Sequence, residues 1–259
     1  MKGIILYFSG TGNTKFIANK IEEEFTKNGC EIETHSIEEK LDLQNISYDF
    51  LILGFPKYFE YIPHNFIEYL KDNLYYSSKE IKTMIFSTGK DKMKIYFHEL
   101  EKILLEKNYK VIVTKNFQMP DSFTLGKGYK KVTRKDIREI YDSSLADIKD
   151  IVLNFLIDNT IKEEVSDITA SIYKTIYKFK TRDLYKNSLN FSVSSNCDKC
   201  NLCVNVCPTK NIENINSYIK FRDNCIMCCR CVNACPKNAI LYKEKEHTQY
   251  KENIDLVVS

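Results

Sequence analysis

Ile4-Ile5-Leu6-Tyr7-Phe8-Ser9-Gly10-Thr11-Gly12-Asn13-Thr14 runs from a short apolar stretch into a loop of two glycines and four hydroxyl or amide side chains. A helical pattern starts at once, with Phe16, Ile17, Ile21 and Phe25 on one face and Asn28-Gly29 as the stop. The reading is strand, polar loop, helix. Working outward, the pattern predicts further strands at Glu31–Ser36, Phe50–Leu53, Lys82–Ser87 and Lys110–Phe117, with helices at about 63–70 and 93–107 between them. Strands alternating with helices at this spacing imply right-handed βαβ units and an α/β fold, a doubly wound parallel five-stranded sheet. In such sheets ligands bind outside the carboxyl ends of the strands. Three loops fall there: 9–14, 54–61 and 87–90.

Beyond the fifth strand, Pro120, Gly126 and Gly128 mark a loop over about 118–130. Ile137, Ile140, Leu145, Ile148, Val152 and Phe155 then predict a long helix with Thr133 as its N-cap. Ile161, Val165, Ile168, Ile172, Ile176 and Phe179 predict a second helix. One of the two is expected to complete the helix set of the sheet and the other to pack between domains. The expected domains are 1–158, a helical linker over 159–189, a small α+β domain over 190–245 and a tail over 246–259.

The small domain is built on a repeat. Asn196-Cys197-Asp198-Lys199-Cys200-Asn201-Leu202-Cys203-Val204-Asn205-Val206-Cys207-Pro208 returns 28 residues later as Asn224-Cys225-Ile226-Met227-Cys228-Cys229-Arg230-Cys231-Val232-Asn233-Ala234-Cys235-Pro236. Both copies read C-x2-C-x2-C-x3-C-P, and eight of the chain's ten cysteines take the matched positions. Cys229 breaks no spacing and reads as a spectator; Cys30 reads as small and buried. Short strands are expected at Phe191–Val193, Tyr218–Phe221 and Ala239–Tyr242. Zinc sites with four thiolates use two separated C-x2-C pairs and require neither the third cysteine nor the duplication. Disulfides are disfavoured in a reducing compartment.

The loop Ser9–Thr14 sits where a helix N-terminus offers backbone N–H groups and the positive end of its dipole, an anion site. It is not a Walker A loop, and Lys15 occupies the third glycine position of the dinucleotide fingerprint. Its hydroxyls suit a phosphate monoester. Ser9-Gly10-Thr11-Gly12-Asn13-Thr14 resembles the phosphate loop of flavodoxins, standing after the first strand as it does in that family. The resemblance covers about residues 1–155 and implies FMN. The family's two further flavin loops would here be Phe55-Pro56-Lys57-Tyr58-Phe59 and Ser87-Thr88-Gly89-Lys90. Tyr58 is expected to stack on the ring, with Lys57 or nearby amides against reduced-flavin charge and Pro56, Thr88 and Gly89 completing the wall.

The cysteine repeat resembles the two-cluster bacterial ferredoxins over about residues 190–245, in which the last cysteine of each run ligates the other [4Fe–4S] cluster. Carried over, the resemblance implies one cluster on Cys197, Cys200, Cys203 and Cys235, and a second on Cys225, Cys228, Cys231 and Cys207. The two domains in this order are similar to the flavodoxin–ferredoxin fusion family (EFR-type ferredoxins). That resemblance implies an electron-transfer protein relaying electrons between redox protein partners, a carrier before a turnover enzyme. The alternatives are a flavin-dependent reductase of a small molecule fed by the clusters, and a redox sensor.

Composition narrows the rest. A formal charge of +3 over 259 residues creates no field suited to nucleic acid. His35, His64, His98 and His247 form no His-x3-His pair, and no Ser–His–Asp set or paired carboxylate stands out, so no catalytic residue is assigned. Five apolar residues in a row at the N-terminus are too few for a signal-peptide core or a membrane span. The expectation is a cytoplasmic chain whose thiols are reduced unless metal holds them.

Overall fold

A computed structural model describes residues 1–39, 41–91, 97–126, 128–163, 165–181 and 188–258. The chain divides into two compact units. The first comprises Met1–Ser9, Thr14–Pro120 and Arg134–Tyr177; the second comprises Gly10–Asn13, Asp121–Thr133 and Lys178–Ser259.

The first unit is built on strands β1 (Lys2–Tyr7), β2 (Glu31–Ser36), β3 (Phe50–Pro56), β4 (Ile81–Gly89) and β5 (Tyr109–Gln118). They form one parallel sheet in the order β2-β1-β3-β4-β5. The order reverses between β1 and β3, so their carboxyl ends flank the crevice where doubly wound sheets bind ligands. Ile5, Leu6, Phe50, Leu51, Ile52 and Leu53 are fully buried, as a sheet covered on both faces requires. Edge strand β2, Glu-Ile-Glu-Thr-His-Ser, stays partly exposed.

Helices α1 (Asn13–Lys27), α2 (His64–Asn73), α3 (His98–Glu106) and α4 (Arg134–Leu156) connect or follow the strands. Ile17, Ile21 and Phe25 of α1 join Ile148, Val152 and Phe155 of α4 in the core on one side of the sheet. Phe25, Phe50 and Phe155 close an aromatic triangle with centroids 5.1–5.6 Å apart. Each such ring contributes about 1.5–3 kcal/mol by leaving water. Cys30 is buried beside them.

Several sequence expectations shift. β4 runs on through Gly89, so Thr88 and Gly89 end a strand and do not form a loop. Its pairing with both β3 and β5 draws those residues into the ladder. Leu145 is 43% exposed, and Ser144 holds the buried position on α4. The second helix does not begin at Ile161. That residue bridges Val113 in parallel: Ile161 N–H donates to the Ile112 carbonyl and Thr114 N–H donates to the Ile161 carbonyl, both at 2.9 Å. The open edge of β5 offers backbone groups that capture it, and α5 starts only at Asp167, ending at Thr181. Ile168, Ile172 and Ile176 on α5 are 77%, 52% and 40% exposed. The predicted start of the third helix at 93–96 and most of the 180–190 connection lie outside the described residues.

The second unit carries the repeat. Its elements are β6 (Phe191–Val193), α6 (Leu202–Asn205), β7 (Ile212–Ile215), β8 (Tyr218–Phe221), α7 (Arg230–Ala234) and β9 (Ile240–Tyr242). β7 has no clear signal, because Ile-Glu-Asn-Ile carries only two apolar residues. It is paired through a turn at Asn216-Ser217, both with positive φ, the geometry of a tight hairpin. The 28-residue symmetry extends to the backbone. Left-handed conformations recur at Lys199 and Met227, at Asn201 and Cys229, and at Lys210 and Asn238. β6 pairs β9 and β7 pairs β8, so each two-stranded sheet takes one strand from each repeat. The register repeats too: Val193↔Ile240 corresponds to Phe221↔Ile212. A short α8 (Asp255–Val258) ends the described chain.

Candidate redox centres

In the second unit the eight matched cysteines line two voids of nearly equal size. Cys197, Cys200, Cys203 and Cys235 line one, with Val193, Ile219 and Ile240 on its wall. Cys225, Cys228, Cys231 and Cys207 line the other, together with Cys229, Phe191, Ile212 and Phe221. Each void thus takes the three C-x2-C-x2-C cysteines of one repeat and the last cysteine of the other, and Cys229 joins the second. The exchange of strands between the small sheets accounts for it, since the chain after Cys207 enters β7 and the chain after Cys235 enters β9. Among the described residues no three His, Cys, Asp or Glu side chains form a group for a single metal ion. The thiols instead ring a space with apolar walls, which fits a polynuclear iron–sulfur group.

Backbone amides point at these sulfurs. Asn211 N–H donates to Cys207 Sγ at 3.2 Å and Ala239 N–H donates to Cys235 Sγ at 3.3 Å, one bond per repeat at the same offset. Met227 N–H donates to Cys225 Sγ at 3.3 Å. Such donors stabilise negative charge on a cluster and raise its potential. Burial pushes the Cys203 and Cys225 thiols up to about 11 and the Cys228 thiol up to about 12. The protein alone therefore favours thiols, and iron must supply the charge that makes them thiolates. Cys229 is buried, lies in the left-handed region and donates its thiol to the Met227 carbonyl at 3.5 Å.

The loop 9–14 contributes its ends to the first unit and its middle to the second. In the first, Ser9 and Thr14 are each 1% exposed. Ser9 Oγ accepts from Lys15 N–H at 3.3 Å, and the Thr14 and Thr88 hydroxyls lie 2.8 Å apart. In the second, Thr11 Oγ1 donates to Ser122 Oγ at 2.7 Å. Arg230 Nε donates to the Gly10 carbonyl at 3.0 Å, and its Nη1 donates to the Val206 carbonyl at 3.0 Å. Gly12 has φ +94°, and a Cβ there would collide with the backbone carbonyl of Asn253, so only glycine fits. Ser9 and Thr14 in the first unit, and Thr11 and Asn13 in the second, are buried polar side chains with no carboxylate among them, hydroxyl and amide types that suit a phosphate monoester.

The aromatic turn after β3 is tight and strained. Tyr58 and Tyr61 exchange backbone hydrogen bonds of 3.0 Å, while Phe59 and Glu60 both take positive φ, 51° and 64°. Two bulky residues in this region cost of order 1–3 kcal/mol each, a cost that clusters at ligand sites. The two tyrosines differ. Tyr61 is 3% exposed, packs on Tyr177 at 4.7 Å and donates its hydroxyl to Glu99. Tyr58 is half-buried and meets Phe8 edge to face at 6.4 Å, which leaves it the better candidate for a ring partner. The Lys57 ammonium lies between two carboxylates. Its side chain is 3% exposed, with Nζ 2.8 Å from Glu60 and 2.6 Å from Asp91. Its stem lies over Gly89, where a Cβ would fall 2.6 Å from Lys57 Cε. Lys57 is a neutralised strut that fixes the turn. Pro56 and Thr88 pair at the ends of β3 and β4, and Lys57 N–H donates to the Thr88 carbonyl at 2.7 Å.

Sequence reasoning passed over Arg230, Asn233, Tyr250 and Asn253. Asn233 is fully buried; its Oδ1 accepts from Tyr250 N–H at 2.9 Å and its Nδ2 donates to the Ser122 carbonyl at 3.3 Å. The only available signal was the recurrence of Val-Asn in both repeats.

A model of the flavodoxin domain matches residues 4–143, and a model of the 4Fe-4S dicluster domain matches residues 190–248. Among solved structures, the chain is similar to the two-electron reduced flavodoxin of Megasphaera elsdenii, at 23% identity and TM-score 0.41, covering 56% of this chain and 98% of that one. It is also similar to a flavodoxin from the domain Archaea, at 16% identity and TM-score 0.40, covering 59% and 99%. A third is oxidised flavodoxin 2 of Bacillus cereus, at 16% identity and TM-score 0.43, covering 60% and 98%. No curated protein matches the chain.

Proposed function

Since the chain belongs to the flavodoxin family through residues 4–143, and carries a 4Fe-4S dicluster domain behind it, we propose that this iron–sulfur and flavin electron-transfer protein works as an internal relay. In this reading Ser9–Thr14 hold the FMN phosphate, Tyr58 lies against the ring, and two [4Fe–4S] clusters sit in the crossed cysteine sets. FMN, when bound, supplies a carrier of one or two electrons, and the clusters supply one-electron steps. Ser9, Thr11, Asn13 and Thr14 would bind and orient the phosphate, while Lys57, Glu60 and Asp91 hold the turn that carries Tyr58. Redox protein partners would exchange electrons at the first cysteine set, where Cys200 is exposed.

The observation that carries this reading is the pair of voids, each lined by the matched C-x2-C-x2-C cysteines of one repeat and the last cysteine of the other, with Cys229 beside the second. We place the protein in the cytoplasm, where thiols stay reduced until iron takes them; no described helix is long and apolar enough to cross a membrane. The test is anaerobic purification with iron, sulfide and flavin quantification. The expected content is about eight iron atoms and one FMN per chain. Four irons would remove the second cluster, and an iron-loaded protein that takes up no FMN would end the relay.

A further inference from the structure

The C-terminal segment 249–254 holds the second unit's part of the polar loop. The Tyr250 hydroxyl donates to Asn13 Oδ1 at 2.5 Å, and Asn253 Nδ2 donates to the same oxygen at 2.9 Å. Tyr250, Asn253 and Ile254 are 5%, 7% and 2% exposed, so the segment is packed and not draped. The Asn253 backbone carbonyl lies against Gly12 where a side chain would project. Behind it, the same segment grips the second cysteine run. Gln249 Nε2 donates to the Val232 and Cys235 carbonyls at 2.6 and 2.7 Å, and Lys251 Nζ donates to the Asn233 carbonyl at 2.6 Å.

The Tyr250 hydroxyl also accepts from Asn253 Nδ2 at 3.4 Å, so the three side chains form one small network. With Oδ1 of Asn13 accepting from both residues, its Nδ2 faces away from the segment. We propose that Tyr250 and Asn253 are positioning residues for the phosphate of the flavin, locking the Asn13 carboxamide with its N–H donors presented to that group. The proposal rests on the reading of Ser9–Thr14 as the FMN phosphate site. Neither residue touches the flavin in this scheme; both act through Asn13. Anchorage on Val232, Asn233 and Cys235 means that the cysteine run sets where the clamp stands.

Riboflavin lacks the phosphate and so separates this role from a general one. The experiment measures dissociation constants of FMN and riboflavin by flavin fluorescence quenching, in the iron-loaded full chain and in its Tyr250→Phe and Asn253→Ala variants. Each variant should weaken FMN about tenfold, the loss of one hydrogen bond in a buried charged site, while riboflavin shifts less than about twofold and iron content stays at the parental value. Equal weakening of both flavins, or no change for FMN, overturns the proposal. If Asn253→Ala loses iron, Tyr250→Phe decides the matter, since it deletes one oxygen and little packing. Parental protein that binds FMN no tighter than riboflavin overturns the phosphate site itself, and the clamp with it.

Discussion

The two cysteine repeats share spacing, backbone conformation and strand register, yet they live in different surroundings. In the first, Lys199, Cys200 and Asn205 are exposed. In the second, Met227, Cys229, Arg230, Val232 and Asn233 are all buried. Asn205 and Asn233 are the same residue at the same repeat position, one in solvent and one at the centre of a hydrogen-bond cluster with Ser122, Thr124 and Tyr250. Leu202 is answered by Arg230, whose guanidinium reaches the Gly10 carbonyl. Duplication supplies two equivalent cysteine cradles; the segments that pack on the second repeat bury it and leave the first exposed.

The crossing of the repeats is the feature whose loss would change most. Cys200→Ala/Cys235→Ala should strike one cluster and keep about four irons, whereas Cys200→Ala/Cys207→Ala should strike both and leave almost none. Iron assay after anaerobic reconstitution reads the difference, and the reverse pattern would mean that each repeat holds its own cluster. Asn233→Ala should cost about 2–4 kcal/mol, because Tyr250 N–H and the Ser122 carbonyl lose a buried partner. Asn205→Ala should stay within about 0.5 kcal/mol, as exposed substitutions do. Anaerobic urea denaturation followed by cluster absorbance gives both; equal costs would erase the distinction between the buried and the exposed repeat. Arg230→Leu removes a buried positive charge that favours the Cys228 thiolate. The second cluster should then be harder to reduce, its potential falling while the first is unmoved, as redox titration followed by electron paramagnetic resonance would show. Cys229→Ser should leave iron at the parental content, since its thiol bonds to a carbonyl; lost iron would make it a ligand.

How much of this was legible in sequence follows from the range of each interaction. Strand β1, the polar loop and α1 were readable because apolar periodicity and loop chemistry are local. The duplicated cysteine run was readable because its spacing is written in the chain itself. Strand ends were not, because Thr88 and Gly89 join β4 only through neighbours that pair with them. Ile161 looked helical by spacing, but an open sheet edge captured its backbone. The ion pair of Lys57 with Asp91 was not legible, because Asp91 lies 34 residues away. Tyr250 and Asn253 carry no periodic signal, and their partner Asn13 lies 237 and 240 residues away.

By itself, then, the sequence determined a doubly wound parallel sheet, a polar loop after its first strand, and a duplicated C-x2-C-x2-C-x3-C-P run. Each of these depends on a hydrophobic period, a residue type or a spacing within a few tens of residues. Tertiary structure decided which repeat is buried, which tyrosine of the aromatic turn is committed to packing, and which residues hold the polar loop. Those outcomes turn on burial and on hydrogen bonds between distant segments, where the free energy of satisfying a buried polar group outweighs any local preference.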